Sequence, residues 1–318
     1  MSYLDPKNDI VFKKIFGNNI NLIKSLLNDL LMFEGDQLID KLEYLTPEIP
    51  PEATDYKNSV VDVRCTDKNK RIFLVEMQMS WTHAFKQRVL FNASKVYVNQ
   101  IQAGYGYEAL LPVYSLNLVN QNYHPDKDQY YHRYQIVEVE NTGERIEGME
   151  FVFIELTKFL NNPNSTIKPR LRKIWLKLLS VTESSNIPKE LLDDPLTAQA
   201  VELAEAMSYT PTERLAYDKF WDDVRRFLTV SAESEAKGLA RGEIKGEARG
   251  EARGLARGLV EGKAEGLAEG KVEGKVEGKA EGKAEERLEI AKKLLALGIA
   301  KEAIAQASGL SIEEINAL

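Results

Sequence analysis

Between Val60 and Ser80 the chain reads VVDVRCTDKNKRIFLVEMQMS. Two runs rich in β-branched and apolar residues flank a polar turn, TDKNKR, which is the grammar of a β-hairpin. If Asp62 lies opposite Glu76, Thr66 pairs with Ile72 and Asp67 with Arg71. A three-residue loop, Lys68–Lys70, then remains, which is a permitted hairpin length. Directly opposed residues share a face, with Cβ atoms about 4.5–5.5 Å apart. Gln78, two beyond Glu76, joins that face. Two carboxylates and an amide are therefore expected together on a side of the sheet where apolar residues would otherwise be favoured.

Two carboxylates at that spacing repel by roughly 4 kcal/mol at an effective dielectric of about 20. A fold tolerates this if one is protonated, if a cationic side chain intervenes, or if a divalent cation binds. Arg64 and Arg71 are available as neutralising partners, and edge or solvent-facing carboxylates are the bland alternative. Hard oxygen donors on rigid strands suit Mg²⁺ or Mn²⁺, with water completing the shell. Such an ion lowers the pKa of a bound water and holds a phosphate oxygen as Lewis acid, which is the chemistry of phosphodiester hydrolysis.

The surrounding elements predict an α/β fold. Asp5-Pro6 reads as N-cap and first helical position of a short helix over NDIVFKKIFG, ending at Gly17. INLIKSLLNDLL reads as a second helix, Leu42–Ile49 as a strand, and a Pro-rich loop follows. HAFKQRVLFNASKVYVNQIQAG has helical spacing, with Phe85, Val89, Val96 and Ile101 near one face and a stop at Gly104. LLPVYSLNLVN, YHRYQIVEVE and MEFVFIELT read as further strands. This order predicts helices packed on a mixed sheet.

Composition divides the chain into residues 1–160, 161–236, 237–286 and 287–318: the α/β domain, a helical extension, a Gly-x-x-x repeat that is helix or tether, and a small helical tail. Glycine recurs every fourth residue from Gly238 to Gly282, and 237–286 carries 11 basic and 11 acidic residues. Each glycine costs about 1 kcal/mol in a helix, and in GKVEGKVEGKAEGK like charges stand four apart. As a lone helix the segment is poor. Packing against another chain, and hence a homo-oligomer, is one reading; a flexible tether is the other. In the tail, Ser311 with Glu314 forms a capping box, and short helices joined by glycine turns resemble a helix-turn-helix unit.

The net charge of −7 argues against a generally basic coat for nucleic acid, though not against a local basic groove. One cysteine, Cys65, excludes an intramolecular disulfide and fits a reducing compartment. No run approaches eighteen apolar residues. A cytoplasmic protein without a membrane span is expected. His83, His124 and His132 show no ligand spacing. IKPRLRKIWLK gathers Lys168, Arg170, Arg172, Lys173 and Lys177 around Trp175, either as a contact for phosphates or as a charged helix face.

Asp62 on one strand, then Glu76-x-Gln78 on the next, then a helix, resembles the core of the PD-(D/E)XK nuclease superfamily. The first 160 residues resemble more narrowly the Rpn family of recombination-promoting nucleases, also labelled transposases. The matching stretches are DPKNDIVFKKIFG (5–17), VVDVRC (60–65), FLVEMQMS (73–80), RVLFNASKVYVNQIQAGYGYEALLPVYSLNLVN (88–120) and FVFIELTKF (151–159). The resemblance implies a Mg²⁺- or Mn²⁺-dependent DNA endonuclease. Asp62 and Glu76 would be metal ligands, helped by the Met77 carbonyl. Gln78 stands where most of the superfamily has Lys, and Val61 stands in place of the motif's Pro. A Gln orients water or phosphate but carries no charge, so the group that stabilises developing negative charge is left open among Lys13, Arg88 and Lys95. Asp9 fits the extra acidic residue of some of these nucleases, or else serves helix electrostatics. Lys13 reads equally as a solvated helix residue and Arg88 as a structural ion pair. The alternatives in function are a degenerate nuclease fold that binds DNA or protein without cutting, and RNA as the substrate.

Overall fold

The computed structural model describes residues 2–49, 59–101, 104–165, 168, 171–182 and 186–318. The Pro-rich loop expected after Ile49, Arg170 and the His83 side chain lie outside the described residues. The chain divides into two compact units, Met1–Ala232 and Glu233–Leu318. Residues 161–232 thus share a unit with the preceding α/β region.

The first unit is built on a mixed sheet of six strands. Its elements include β1 (Leu42–Leu45), β4 (Val63–Asp67), β5 (Ile72–Gln78), β6 (Val113–Val119), β7 (Tyr131–Val137) and β8 (Arg145–Glu155), in the spatial order β1-β4-β5-β6-β8-β7. β5, β6 and β8 run parallel, and the other pairings are antiparallel. A separate two-stranded pair joins β2 (Glu48–Ile49) to β3 (Ser59–Val60), so the single strand expected over Leu42–Ile49 is split. Central β6 is almost wholly buried, and its Asn117 is fully enclosed. The Asn117 amide donates to the Val152 and Ser115 carbonyls, which makes a polar residue tolerable there.

The hairpin has the expected register: Val63 faces Val75 and Thr66 faces Ile72. Lys70, at φ +62°, takes the left-handed position that closes a three-residue loop. The Asp67 carboxylate accepts from the Asn69 and Arg71 N–H groups and pairs with the Arg71 guanidinium at 2.7 Å. Arg71, one of the two cations available to neutralise the acidic pair, is thereby held at the turn. The Nε of Arg64 is buried without a hydrogen-bond partner among the described residues.

On one face of the sheet pack α1 (Asp9–Phe12), a π-helical turn (Lys13–Gly17) and α2 (Ile20–Leu30), whose Leu22, Ile23, Leu26, Leu27 and Leu30 recur at helical spacing and are fully buried. α4 (Leu156–Asn161), α5 (Ile174–Leu179), α6 (Lys189–Asp193) and α7 (Pro195–Leu203) follow the sheet, and buried residues of all four join the same core. Trp175, 1% exposed, meets the Phe16 ring at 5.5 Å. The basic stretch around it is largely occupied within the fold: Arg172 pairs with Asp29 at 3.3 Å, and Lys177 with Glu190 at 2.5 Å.

The first helix does not start where Asp5-Pro6 suggested. Asp5 accepts from the Lys7 N–H and stabilises a preceding turn, while Asn8 is the N-cap, taking the Ile10 N–H at 3.0 Å. Buried Asn8 also donates to the Tyr217 carbonyl. Asn8→Ala is expected to lower unfolding stability by about 1–2 kcal/mol, since it removes the helix cap and the buried side-chain hydrogen bond to the Tyr217 carbonyl; urea denaturation measures this.

On the opposite face lies α3 (His83–Val98). Phe85, Val89 and Val96 are buried as expected, but the helix ends before Ile101 and well short of Gly104. The Gln100 amide exchanges two hydrogen bonds with the backbone of Leu111, at 2.9 and 3.1 Å, which draws the chain off the helical path.

α8 runs Pro211–Ala296 and contains the glycine repeat. Within the second unit, α9 (Lys301–Ser308) and α10 (Ile312–Asn316) follow glycine turns at Gly298 (φ +77°) and Gly309 (φ +69°). The Ser311–Glu314 capping box is formed, and Ala291, Ile304 and Ile315 make a small core. Among the described residues no helix is long and apolar enough to cross a membrane.

Candidate active site

Asp62 sits one residue before β4, one step beyond the Val63–Val75 pair and hence level with Glu76. Its Oδ2 accepts the Met77 N–H at 2.6 Å. The side chain thus supplies an acceptor where the β4 ladder stops, and it is anchored directly to the neighbouring strand.

Glu76 is 6% exposed, and its contacts are long: Asn92 Nδ2 at 3.5 Å and Arg88 Nη2 at 3.7 Å. Charge-assisted bonds are usually about 2.7–2.9 Å. A buried carboxylate held so loosely has coordination capacity to spare. Burial, reinforced by the charge of Asp62, pushes the Glu76 carboxyl up to about 8, against the pull of Arg88. Burial also pushes Asp62 up to about 6, with Asp9 adding to the rise and the Met77 N–H, Lys13 and Arg88 opposing it. The protein alone leaves this pair short of positive charge.

Helix α3 projects polar residues onto the pair. Arg88 donates to Gln78 Oε1 at 2.7 Å while its side chain stays 48% exposed. The Gln78 amide nitrogen donates to the Ser80 carbonyl. Position 78 therefore carries no cation itself, but a guanidinium from the following helix lies against it. Asn92, one turn on from Arg88, was missed in the sequence reading; the i,i+4 spacing on a helix whose other face is apolar is the signal that identifies it. Its Oδ1 is buried without a hydrogen-bond partner among the described residues.

The remaining expected residues divide. Asp9 and Lys13, half-exposed on the first helical segment, pair at 2.8 Å, and both act electrostatically on Asp62. Lys95 is placed elsewhere: it is 9% exposed and donates to the Ile49 carbonyl at 3.0 Å. An internal role on β2 thus replaces the phosphate contact expected of it, because the helix carries position 95 over the small two-stranded pair. His132 donates through Nε2 to the fully buried Glu155 carboxylate at 2.8 Å, which Lys158 also binds. Cys65 is fully buried.

Among the described residues no group of three or more His, Cys, Asp or Glu side chains is placed to hold a metal ion. The donor set is instead two carboxylates of raised pKa. That suits a hard cation of the Mg²⁺ type, which keeps several waters and needs only one or two protein carboxylates.

Among known protein families, the chain matches the one described as PD-(D/E)XK nuclease family transposase over residues 6–223. No curated protein and no solved structure matches the chain. The match spans both the hairpin and the helices of 161–223.

Proposed function

We infer that this chain, which belongs to the PD-(D/E)XK nuclease family transposases, is a divalent-metal-dependent DNA endonuclease that hydrolyses phosphodiester bonds. The observation that carries the reading is the pairing of Asp62 with loosely held Glu76 at the open end of the β4–β5 hairpin, away from its turn. Asp62 and Glu76 would hold the cation, with the Met77 carbonyl as a further donor. When bound, Mg²⁺ or Mn²⁺ supplies Lewis acidity toward a phosphate oxygen and toward water.

The chain's own residues take the remaining roles. Gln78 Oε1 fixes the Arg88 guanidinium, and the exposed part of that group is free to meet a phosphate. This substitutes for the lysine that most of the superfamily carries at position 78. Lys13 adds positive potential from the first helical segment, and Asp9 holds it in place. Asn92 orients Glu76.

Arg88→Ala is expected to slow DNA cleavage about 10²-fold, and Arg88→Lys to recover only part of that, since a point charge cannot hold both Gln78 and a phosphate in a planar fork. Initial rates on supercoiled plasmid measure it. We place the protein in the cytoplasm, with DNA as its partner and its cleavage serving recombination or a mobile element, and we assign homo-oligomer formation to the glycine repeat.

The test is plasmid nicking with Mg²⁺ by the full chain, by Asp62→Ala and by Glu76→Ala. Loss of cutting in both variants supports the assignment. Equal cutting by all three overturns the site. Cutting by none of them favours the binding module, a reading that uncharged Gln78 sustains. The same assay on RNA decides the substrate.

A further inference from the structure

Within the second unit the repeat glycines of α8 pack against no other described element. Residues 231–290 are all exposed. A Cβ added at any of the twelve repeat glycines would meet no atom within 4 Å. Relative to alanine each of them weakens the helix. Space for the close approach of another helix is left along the segment.

The side chains between the glycines follow a rule. The second residue after each glycine is Ala, Val or Ile, from Ala240 to Ala284. The third is basic from Arg241 to Arg257 and acidic from Glu261 to Glu285. The first reverses the opposite way: Glu at 243, 247 and 251, Lys at 263 and from 271 to 283, with leucines between. Residues 237–258 hold six basic and three acidic groups, and 259–286 hold five basic and eight acidic. The halves therefore carry net charges of +3 and −3.

We propose that this segment pairs antiparallel with the same segment of a second copy, about a two-fold axis at Leu259. This rests on the self-association assigned above and adds its partner, direction and register. Reflection through Leu259 sets Arg241 level with Glu277, Lys245 with Glu273, Arg249 with Glu269, Arg253 with Glu265 and Arg257 with Glu261. It also sets glycine level with an apolar side chain throughout, as Gly242 with Val276 and Gly274 with Ile244. Parallel pairing would set the basic half against the basic half. Four residues advance a stripe by about 40°, so the matched positions circle the helix and a straight partner meets part of the set, among them Ala252 with Gly266, Ala248 with Gly270, Lys245 with Glu273 and Arg241 with Glu277; the remaining pairs act through the opposite net charges of the two halves. Exposed ion pairs contribute little energy each. Their part is to select direction and register, while glycine against Ala, Val or Ile supplies close contact. The interface is isologous, as a two-fold dimer requires.

The full-length chain tests this, because Cys65 is buried and single cysteines can be labelled beside it. Sedimentation at low salt is expected to show a dimer. Spin labels at Ala240→Cys are expected roughly 57 Å apart, the rise of 38 helical residues, and labels at Leu259→Cys under about 20 Å. The fivefold variant R241E/K245E/R249E/R253E/R257E is expected to weaken the dimer at least 10-fold, and adding E261K/E265K/E269K/E273K/E277K to restore it within 3-fold. A monomer at 100 μM overturns self-association and orientation together. A dimer with a short Ala240 separation overturns the orientation alone. A dimer indifferent to the fivefold reversal, or one not restored by the second set, overturns the charge register.

Discussion

Asp62→Ala and Glu76→Ala are each expected to reduce plasmid nicking at least 10³-fold, to the level of a chain denied divalent metal by EDTA. The size follows from the geometry. With only two carboxylates converging among the described residues, removing one leaves a single protein anchor for the cation and takes away the Lewis acid with it. Asp62 has a second duty, since its Oδ2 is the acceptor for the Met77 N–H. Asp62→Asn keeps that acceptor and should fold like the parent while cutting no better than Asp62→Ala. Circular dichroism and melting of the Asn variant separate loss of the site from loss of the fold.

In EDTA, unfolding stability is expected to fall as pH rises from about 5 to 8.5, and Glu76→Gln is expected to remove most of that fall. Burial and the Asp62 charge raise the folded Glu76 carboxyl to about 8, from an ordinary value of 4.5. Between those values the folded chain holds a proton that the unfolded chain has lost. The stabilisation is therefore complete below about 4.5 and disappears as pH climbs through 8. Asp62, raised to about 6, acts in the same sense at lower pH. Asp9, Lys13 and Arg88 face the pair and are unchanged in the comparison of parent with Glu76→Gln. The difference between the two chains is of the order of 3 kcal/mol across the range. Thermal melts at pH 5.5, 7 and 8.5 measure it, and Glu76→Gln should be the more stable chain at pH 8.5. Added Mg²⁺ should stabilise the parent most at high pH and leave Glu76→Gln nearly unmoved.

The hairpin was legible because its constraints are local. The polar turn, the loop length and the period-two alternation together allow one register in which Asp62 meets Glu76, and the structure adopts it. Position 88 was legible as a cation near the motif, but its hold on Gln78 depends on how α3 packs across the sheet, which no local pattern states. Lys95 was misplaced for the same reason: two helical turns beyond Arg88, it lies over Ile49 rather than over the carboxylates. Arg71 stands opposite Asp67 as the hairpin register requires, and Asp67 rather than the acidic pair takes its charge. The start of the first helix was misassigned because two cap-like residues stand three apart: Asp5 and Asn8 both cap, but only Asn8 caps the helix. The end of α3 depends on Gln100 reaching Leu111, a contact between residues eleven apart that helical periodicity cannot contain.

A member of this family whose motif ends in Gln rather than Lys must gather its positive charge from other elements. Here the first helical segment and α3 both supply it, with Lys13 and Arg88 acting on the same two carboxylates. The most direct measurement of the whole account is anomalous diffraction from crystals of the full chain soaked in Mn²⁺. One ion should appear between strands β4 and β5, about 2.1 Å from carboxylate oxygens of both Asp62 and Glu76. Ordered Mn²⁺ bound elsewhere, with that pair empty at saturating metal, would contradict it.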